Sequence, residues 1–430
     1  MKLKWLTTRN RVKQALSGGV LGITLSLGSS SALADTVEVL HWWTSGGEKE
    51  AADQLKAKVE ADGHTWKDAI ITGGGGDNAM KVLRQRAVSG NAPSVVQMKG
   101  PAIQEWGTYL VDVDAAAKKL SFDKILPTEV KSVMKHKGKY VAVPVNVHRT
   151  DWVWANKKLV EPILAKAKNQ KGFDQILFVG KELKKKGVQA FAHGGQPWQD
   201  ATAFEAISLS VGGPEFYQKA FVDLDLKTLK GPKMKDVFEK TREYTKLLDP
   251  NRKGLDWDKA TKLVIEGKAG MQLMGDWAKG EFLVAGQKPG KDFLCFPVPT
   301  AGQRGFLFNI DSFTFFKQKS GSGKATQGQL SFAKQILTPD FQQSFNLKKG
   351  SIPVRVDSKV GAFDKCAKDS FSDFTNDKVR RLPSFAHKMA MQPDVESAVV
   401  EVITGFFNSN MTPDSAVKRL SSSVEEIIED

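Results

Sequence analysis

The sequence predicts an α/β protein of two large lobes with a ligand cleft between them. Short apolar runs rich in β-branched and aromatic residues alternate with amphipathic helical stretches, the pattern of βαβ units and mostly parallel sheets. The chain has 430 residues, well beyond the ~100–200 of a typical single domain. Two interruptions, one polar near residues 145–150 and one turn-rich near 300–305, mark where the chain would cross between lobes. Clefts at the carboxyl ends of strands are where such folds hold ligands.

The elements follow in order from the N-terminus. Residues 1–34 place Lys2, Lys4, Arg9, Arg11 and Lys13 ahead of an apolar run from Ala15 to Leu27, then Ala32-x-Ala34. That is the layout of a secretory signal peptide cut after Ala34, and the run falls short of the ~20 residues of a membrane span. No cysteine stands directly after the cut, so the mature chain is expected to be exported and free of a lipid anchor. Removing residues 1–34, which hold five basic residues and no acid, leaves 396 residues and lowers the formal charge from +15 to +10. Export argues against a nucleic-acid partner, and the lysines are interleaved with acids as on solvated helix faces.

Val37–His41, Ser94–Met98, Tyr140–Val145, Gly270–Met274 and Phe306–Phe316 read as strands. Ala79–Ser89 reads as a helix with Ala79, Val82, Leu83 and Ala87 on one face and Gly90 as its stop. Thr412-Pro413 opens a last helix that carries Ala416, Val417, Leu420, Val424, Ile427 and Ile428. Gly73–Gly76 frees the backbone before the helix that starts near Asn78. Ser320–Ala325 (SGSGKA) imitates a phosphate loop, but Gln318 stands where the first glycine belongs and Ala325 where Ser or Thr belongs, so it reads as a surface turn. Cys295 and Cys366 are either a disulfide or two buried thiols, since one distant pair carries no framework signature.

The sequence lacks HExxH, paired CxxC and GxSxG motifs, and its six histidines are scattered, so neither a metal nor a cofactor is expected. Tryptophan is what stands out. Trp42 and Trp43 end the first strand, and Trp198 and Trp277 lie in turns rather than on apolar helix faces. Flat aromatic walls suit the C–H faces of a sugar ring, and polar side chains between them would satisfy its hydroxyls. The plainer reading makes these rings core or interface filler.

Several stretches, in this order, resemble the periplasmic sugar-binding components of ABC transporters, the class that includes maltose-binding protein. They are EVLHWWTSGGE, LRQRAVSGNAPSVVQMKGPAIQEW, FAHGGQPWQDATAFE, GKAGMQLMGDWAKGEF, FNIDSF, KKGSIPVR and SFAHKMAMQPD. The resemblance is strongest to the glucose/mannose-binding proteins of Gram-negative bacteria. It implies two α/β lobes on a multi-strand hinge: 35–145 with 303–345 for the N-terminal lobe, 146–302 with 346–430 for the C-terminal lobe. It implies a substrate-binding set of Trp42, Trp43, Glu48, Lys99, Trp277, Asn309, Asp311, Lys349 and His387, with Gln196 and Trp198 behind them. Lys99 stands where some relatives carry His, and Lys348 competes with Lys349 by register. The expected partners are one monosaccharide (glucose, then mannose or galactose) and an inner-membrane ABC permease, with no nucleic acid and a monomeric chain. Alanine at Trp42 or Trp43 is expected to weaken sugar binding and leave the fold intact. Two other classes fit the same composition: a secreted carbohydrate-active hydrolase or lyase, and a basic adhesion protein that binds polyanions.

Overall fold

A computed structural model describes residues 34–319 and 322–429. The signal peptide lies outside the described residues, as do the first two positions of the SGSGKA turn. None of the helices among the described residues is long and apolar enough to cross a membrane.

In chain order the strands are β1 (Thr36–His41), β2 (Thr65–Ile70), β3 (Val95–Met98), β4 (Lys135–His136), β5 (Lys139–Tyr140), β6 (Ala142–Pro144) and β7 (His148–Arg149). There follow β8 (Trp152–Asn156), β9 (Gln189–Phe191), β10 (Ala269–Met274), β11 (Phe293–Pro297), β12 (Gly305–Asn309), β13 (Ser312–Phe315) and β14 (Arg380–Pro383). They form a five-stranded sheet β2-β1-β3-β13-β6, a four-stranded sheet β11-β8-β10-β9, a three-stranded sheet β14-β12-β7 and the small pair β4-β5.

The expected mostly parallel sheets are in fact mixed. β1 is parallel to β2 and β3, but β13 runs antiparallel to β3 and β6, and β8 runs antiparallel to both β10 and β11. The physical reason is the crossings: β13 enters the first sheet from the other lobe, so no right-handed helical connection fixes its direction. The expected single strand Phe306–Phe316 is likewise two, β12 and β13, with Ile310 and Asp311 passing between sheets. Tyr140–Val145 splits in the same way into β5 and β6.

Local chemistry explains the helices nearest the cleft. Ser45 caps the helix Gly46–Ala61 through a capping box with Glu48, and Ala51, Leu55 and Val59 recur at i, i+4 and i+8 to form its buried face. The helix Asp77–Val88 buries Ala79, Leu83 and Ala87 at the same spacing.

One hydrophobic core gathers β1, β3, β6 and β13, and a second gathers β8, β9 and β10 with the long helix Pro197–Tyr217. A smaller third cluster packs Trp152, Trp154, Trp257, Trp277, Phe282 and Phe293. The chain leaves the first core after Val147, enters the second by Val153, and returns between Val298 and Phe306. β12 serves both sides, with Phe306 and Phe308 in the first core and Leu307 in the second. Alternation along a strand makes it a partition. Residues 346–379 pack largely on the first core. Ile352, Val354, Phe363, Phe374 and Val379 bury against the first core, held there in part by the Val147–Ile352 bridge, and only Leu382 onward joins the second.

The cysteines are joined: Cys295 of β11 bonds Cys366 of the helix Lys365–Phe374. That helix buries Ala367 and Phe374 in the first core while being fastened three times to residues outside that core. Besides the disulfide, Asp364 pairs with Lys279 at 3.2 Å and Asp373 with Arg149 at 2.7 Å. It straps the junction.

Two outcomes test these contacts. Closing a loop across a sequence separation of 71 residues should contribute on the order of 4 kcal/mol by chain entropy. Reduction, or Cys366→Ser, should therefore lower the urea midpoint, and an unchanged midpoint would mean the bond is thermodynamically idle. Glu205 supplies the second. It is fully buried and accepts hydrogen bonds from Thr150, Ser384, Tyr217 and the Ala386 amide. Burial pushes its carboxyl up to about 7 against those donors. A raised acid pKa means the native state holds a proton the unfolded chain releases, so this contribution to stability falls as pH rises from about 4.5 to about 7, by of order 3 kcal/mol. Glu205→Gln should flatten that slope in denaturation series between pH 5 and 7.

Candidate functional site

The two cores face each other across a cavity of about 440 Å³ of non-protein space, its mouth included. Trp42 and Trp43 reach it because β1 ends at His41, so the next two side chains leave the sheet at its carboxyl edge. Glu48 comes from the first turn of the following helix, and Lys99 from the residue after β3. Asn309 and Asp311 come from the β12–β13 passage, and Lys349 from the last position of the helix Pro339–Lys349. Trp277 and His387 come from the second side. All nine residues expected from the sequence line this one cavity.

Lys349 is 2% exposed and binds Glu48 at 2.9 Å, whereas Lys348 points outward to Glu50. That separates the two lysines. Trp198 lines the cavity too, and Gln196 stands behind it, accepting its indole N–H at 3.0 Å. The sequence reading missed Trp257, His148 and Thr44, together with Gly74 and Gly75. Trp257 carried no separate signal, since it opens the buried face that Ala260 and Val264 continue along its helix, and His148 is a lone histidine in the crossing NVHRTD.

The glycine run does more than free the backbone. Gly74 and Gly75 lie against the Trp198 ring, where a Cβ at 74 would come within 2.7 Å of the indole. Glycine lets the first lobe's loop press flat on the second lobe's tryptophan. A direct hydrogen bond also crosses the cleft, from the Gly47 amide to Glu281 at 2.9 Å.

Charge in the wall is paired. Lys99 lies 3.4 Å from Asp311 and 5.4 Å from the Trp42 ring centre. His148 presents one ring nitrogen to Asp311 at 3.0 Å and the other to Asp276. Both nitrogens face carboxylate oxygens, while the Asn146 amide nitrogen also lies 2.9 Å from Nε2; the two carboxylates favour the imidazolium form. Burial alone would lower the His148 pKa, but Asp276 and Asp311 raise it. Burial likewise opposes Asp311's charge, yet Lys99 and His148 hold its carboxyl well below the usual range. Burial depresses the Lys99 ammonium despite Asp311.

His387 differs. Burial, followed by the nearby charges of Lys99 and His148, drives its pKa well down, so it is neutral. Thr202 spends its hydroxyl proton on the Trp198 carbonyl at 2.8 Å, so His387 Nε2 at 3.0 Å must donate to the Thr202 oxygen. That fixes the tautomer and leaves Nδ1 as the acceptor. The arrangement offers aromatic faces, several acceptors and two ammonium donors, with no nucleophile–base pair among them.

Trp43 is also structural. Its ring packs 5.5 Å from Phe313 and 5.4 Å from Phe345, centre to centre, so the expectation that alanine there spares the fold does not survive its surroundings. In urea unfolding of the ligand-free protein, Trp43→Ala should cost about 3–5 kcal/mol. Trp42→Ala should cost clearly less, because one side of that ring meets the cavity and a lysine rather than other rings. Equal losses would show that both rings are chiefly filler.

Comparison with known proteins places the molecule. Residues 45–322 match the family model for bacterial extracellular solute-binding proteins. A probable sugar-binding periplasmic protein of Brucella suis biovar 1 is 44% identical over 393 residues, covering 90% of this chain and 92% of that protein. One of the same description from Rhizobium meliloti is 43% identical over 401 residues, covering 92% and 95%. Among solved structures, a chitin oligosaccharide binding protein superposes with a TM-score of 0.76 at 18% identity, covering 92% of this chain and all of that one. Maltose-bound MalE3 of T. maritima superposes at 0.73 with 15% identity, covering 92% and 100%. These structures share the two-lobed fold. The family binds solutes rather than transforming them, which sets aside the hydrolase and lyase reading. A cleft built of paired charges and aromatic walls, with no catalytic constellation, agrees with the sequence match: the chain belongs to the bacterial extracellular solute-binding protein family.

Proposed function

We propose that the protein is the periplasmic sugar receptor of an ABC importer, closing its lobes around one neutral monosaccharide, glucose foremost, and presenting it to an inner-membrane permease. The observation that carries this reading is the cavity wall: five tryptophans, from 42, 43, 198, 257 and 277, surround groups able to hydrogen-bond hydroxyls. Asn309 Oδ1 is buried in that wall without a hydrogen-bond partner among the described residues. Leaving such an atom unpaired costs about 1–3 kcal/mol, which a sugar hydroxyl would recover. Lys99, Lys349 and the His148 imidazolium are matched by Asp311, Glu48 and Asp276, so no surplus charge favours an acidic sugar. The curated relatives' descriptions as sugar-binding periplasmic proteins support the ligand class and the compartment.

Calorimetric titration of the refolded, ligand-stripped mature protein tests the reading, with glucose, mannose, galactose, xylose and maltose in turn. One-to-one heat is expected with glucose and little or none with maltose. Trp42→Ala should lose about 2 kcal/mol of binding, some thirtyfold in Kd. Silence across the whole panel would overturn the sugar assignment and leave only a two-lobed solute receptor. Heat with heparin that fades with salt, and none with sugars, would favour the adhesion class.

A further inference from the structure

Beside the cavity, on the outer face of the junction, runs a wider groove of about 1,710 Å³ of non-protein space. It lies between the helix Asp77–Val88 of the first side and the helix Pro393–Phe407 of the second, with Met80, Trp106, Pro197 and Val400 among its apolar lining. Three short segments separate groove from cavity, and each contributes to both. Gly75 meets the cavity and Asp77 the groove; Trp198 meets the cavity and Pro197 the groove; His387 meets the cavity and Lys388 the groove. Neighbouring residues of the same segments thus face the two spaces, and the segments come from both lobes.

Lys388 fastens this partition. Its ammonium reaches Asp77 across the cleft at 2.8 Å and Glu396 at 3.2 Å. Its backbone sits at φ +63°, in the left-handed region that a non-glycine side chain seldom adopts. Its carbonyl presses on Gly100 of the first lobe, itself at φ +55°, so closely that a Cβ there would stand 1.9 Å from the oxygen. An exposed ion pair by itself contributes little to stability, and Asp77 is more than half exposed. Held strain at a cleft, next to a residue that lines the cavity, points to a functional constraint instead.

We propose that Lys388, clasped to Asp77 and braced by Glu396, is a size gate that closes the partition behind the first sugar ring and so restricts the ligand to one ring. The groove beyond, where Trp106 offers an aromatic face and Lys81, Arg84, Glu105 and Glu401 offer polar groups, would take the next ring of a longer saccharide if the clasp were absent. The inference rests on the sugar reading above and adds the residues that set ligand length. Neither Asp77 nor Lys388 belongs to the expected binding set.

The test titrates wild type, Asp77→Ala, Lys388→Ala and Lys388→Gly with glucose, maltose and cellobiose. Lys388→Gly also removes the left-handed strain, so at least one lysine variant keeps the native backbone, and melting curves confirm folding. The gate predicts that the variants keep glucose affinity within about tenfold and bind at least one disaccharide about tenfold or more tighter than wild type does. Folded variants that gain no disaccharide binding would overturn it, as would a wild type that already binds disaccharides as tightly as glucose. A wild type silent to all three sugars would instead fail the sugar reading itself, before any variant is compared.

Discussion

The junction between the lobes depends on one buried charge chain, Asp311–His148–Asp276. Asp311 lies on the passage between β12 and β13, His148 on the crossing strand β7, and Asp276 just past β10 on the second side. A single imidazolium thus joins the passage into the first sheet to the second lobe, and Asp276 also takes the Arg149 amide at 3.0 Å. Arg149 carries the connection further, to Asp151 and to Asp373 on the strapping helix. Removing one partner from such a buried set typically costs about 3–5 kcal/mol, because it strands the other charge. The hinge and the cavity wall are therefore one construction: Asp311 belongs to both.

That shared construction explains the tryptophans' positions. A ring at the end of β1 can turn from the sheet toward the cleft, while a ring inside the strand could only join the core. Trp42 and Trp43 divide the two duties. Trp42 meets Lys99 and the cavity, and Trp43 is gripped from behind by Phe313 and Phe345. On the facing side Trp277 packs edge-on against His148 and His387, so the charge chain holds the aromatic wall upright. A rigid wall matters for affinity, since ordering side chains on binding costs about 0.5–1.5 kcal/mol apiece.

Much of this was legible in the sequence, and what was not has physical causes. The end of the first strand at His41, the helix with Ala79, Leu83 and Ala87 on its buried face and the last helix from Pro413 follow from local patterns that tertiary packing does not contradict. The site set needed more than pattern, because Glu48, Lys99, Asp311 and His387 come from four distant segments and are identified as a set only by their order along the chain. His148 and Trp257 escaped because a lone histidine in a crossing and a tryptophan at a helix start are ordinary in isolation. Sheet direction was misjudged where the chain passes between lobes. Periodicity reports which face of a strand is buried, not which way the strand runs beside its neighbour. The apolar residues of 346–379 are sparse and fill the first core from outside any regular strand, so periodicity alone does not report where they pack.

Closure follows from how the wall is divided. Trp42, Glu48, Lys99 and Lys349 belong to the first side, Trp198, Trp257, Trp277 and His387 to the second, and Asn309 with Asp311 to the passage between them. A ligand in the cavity would touch all three groups only when the lobes are together, so its affinity for the closed form would exceed that for the open one. The size of that difference sets how far the population shifts: moving from 1:99 to 99:1 takes about 5.5 kcal/mol of differential binding. The protein's own contacts across the cleft, namely the Gly47–Glu281 hydrogen bond, the Asp77–Lys388 pair and the glycine loop on Trp198, bias the closed form before any ligand binds. Each is modest and partly exposed, and that suits a receptor. Closure held strongly by protein contacts alone would shut the cleft before a ligand arrived, whereas weak clasps leave the decision to the ligand.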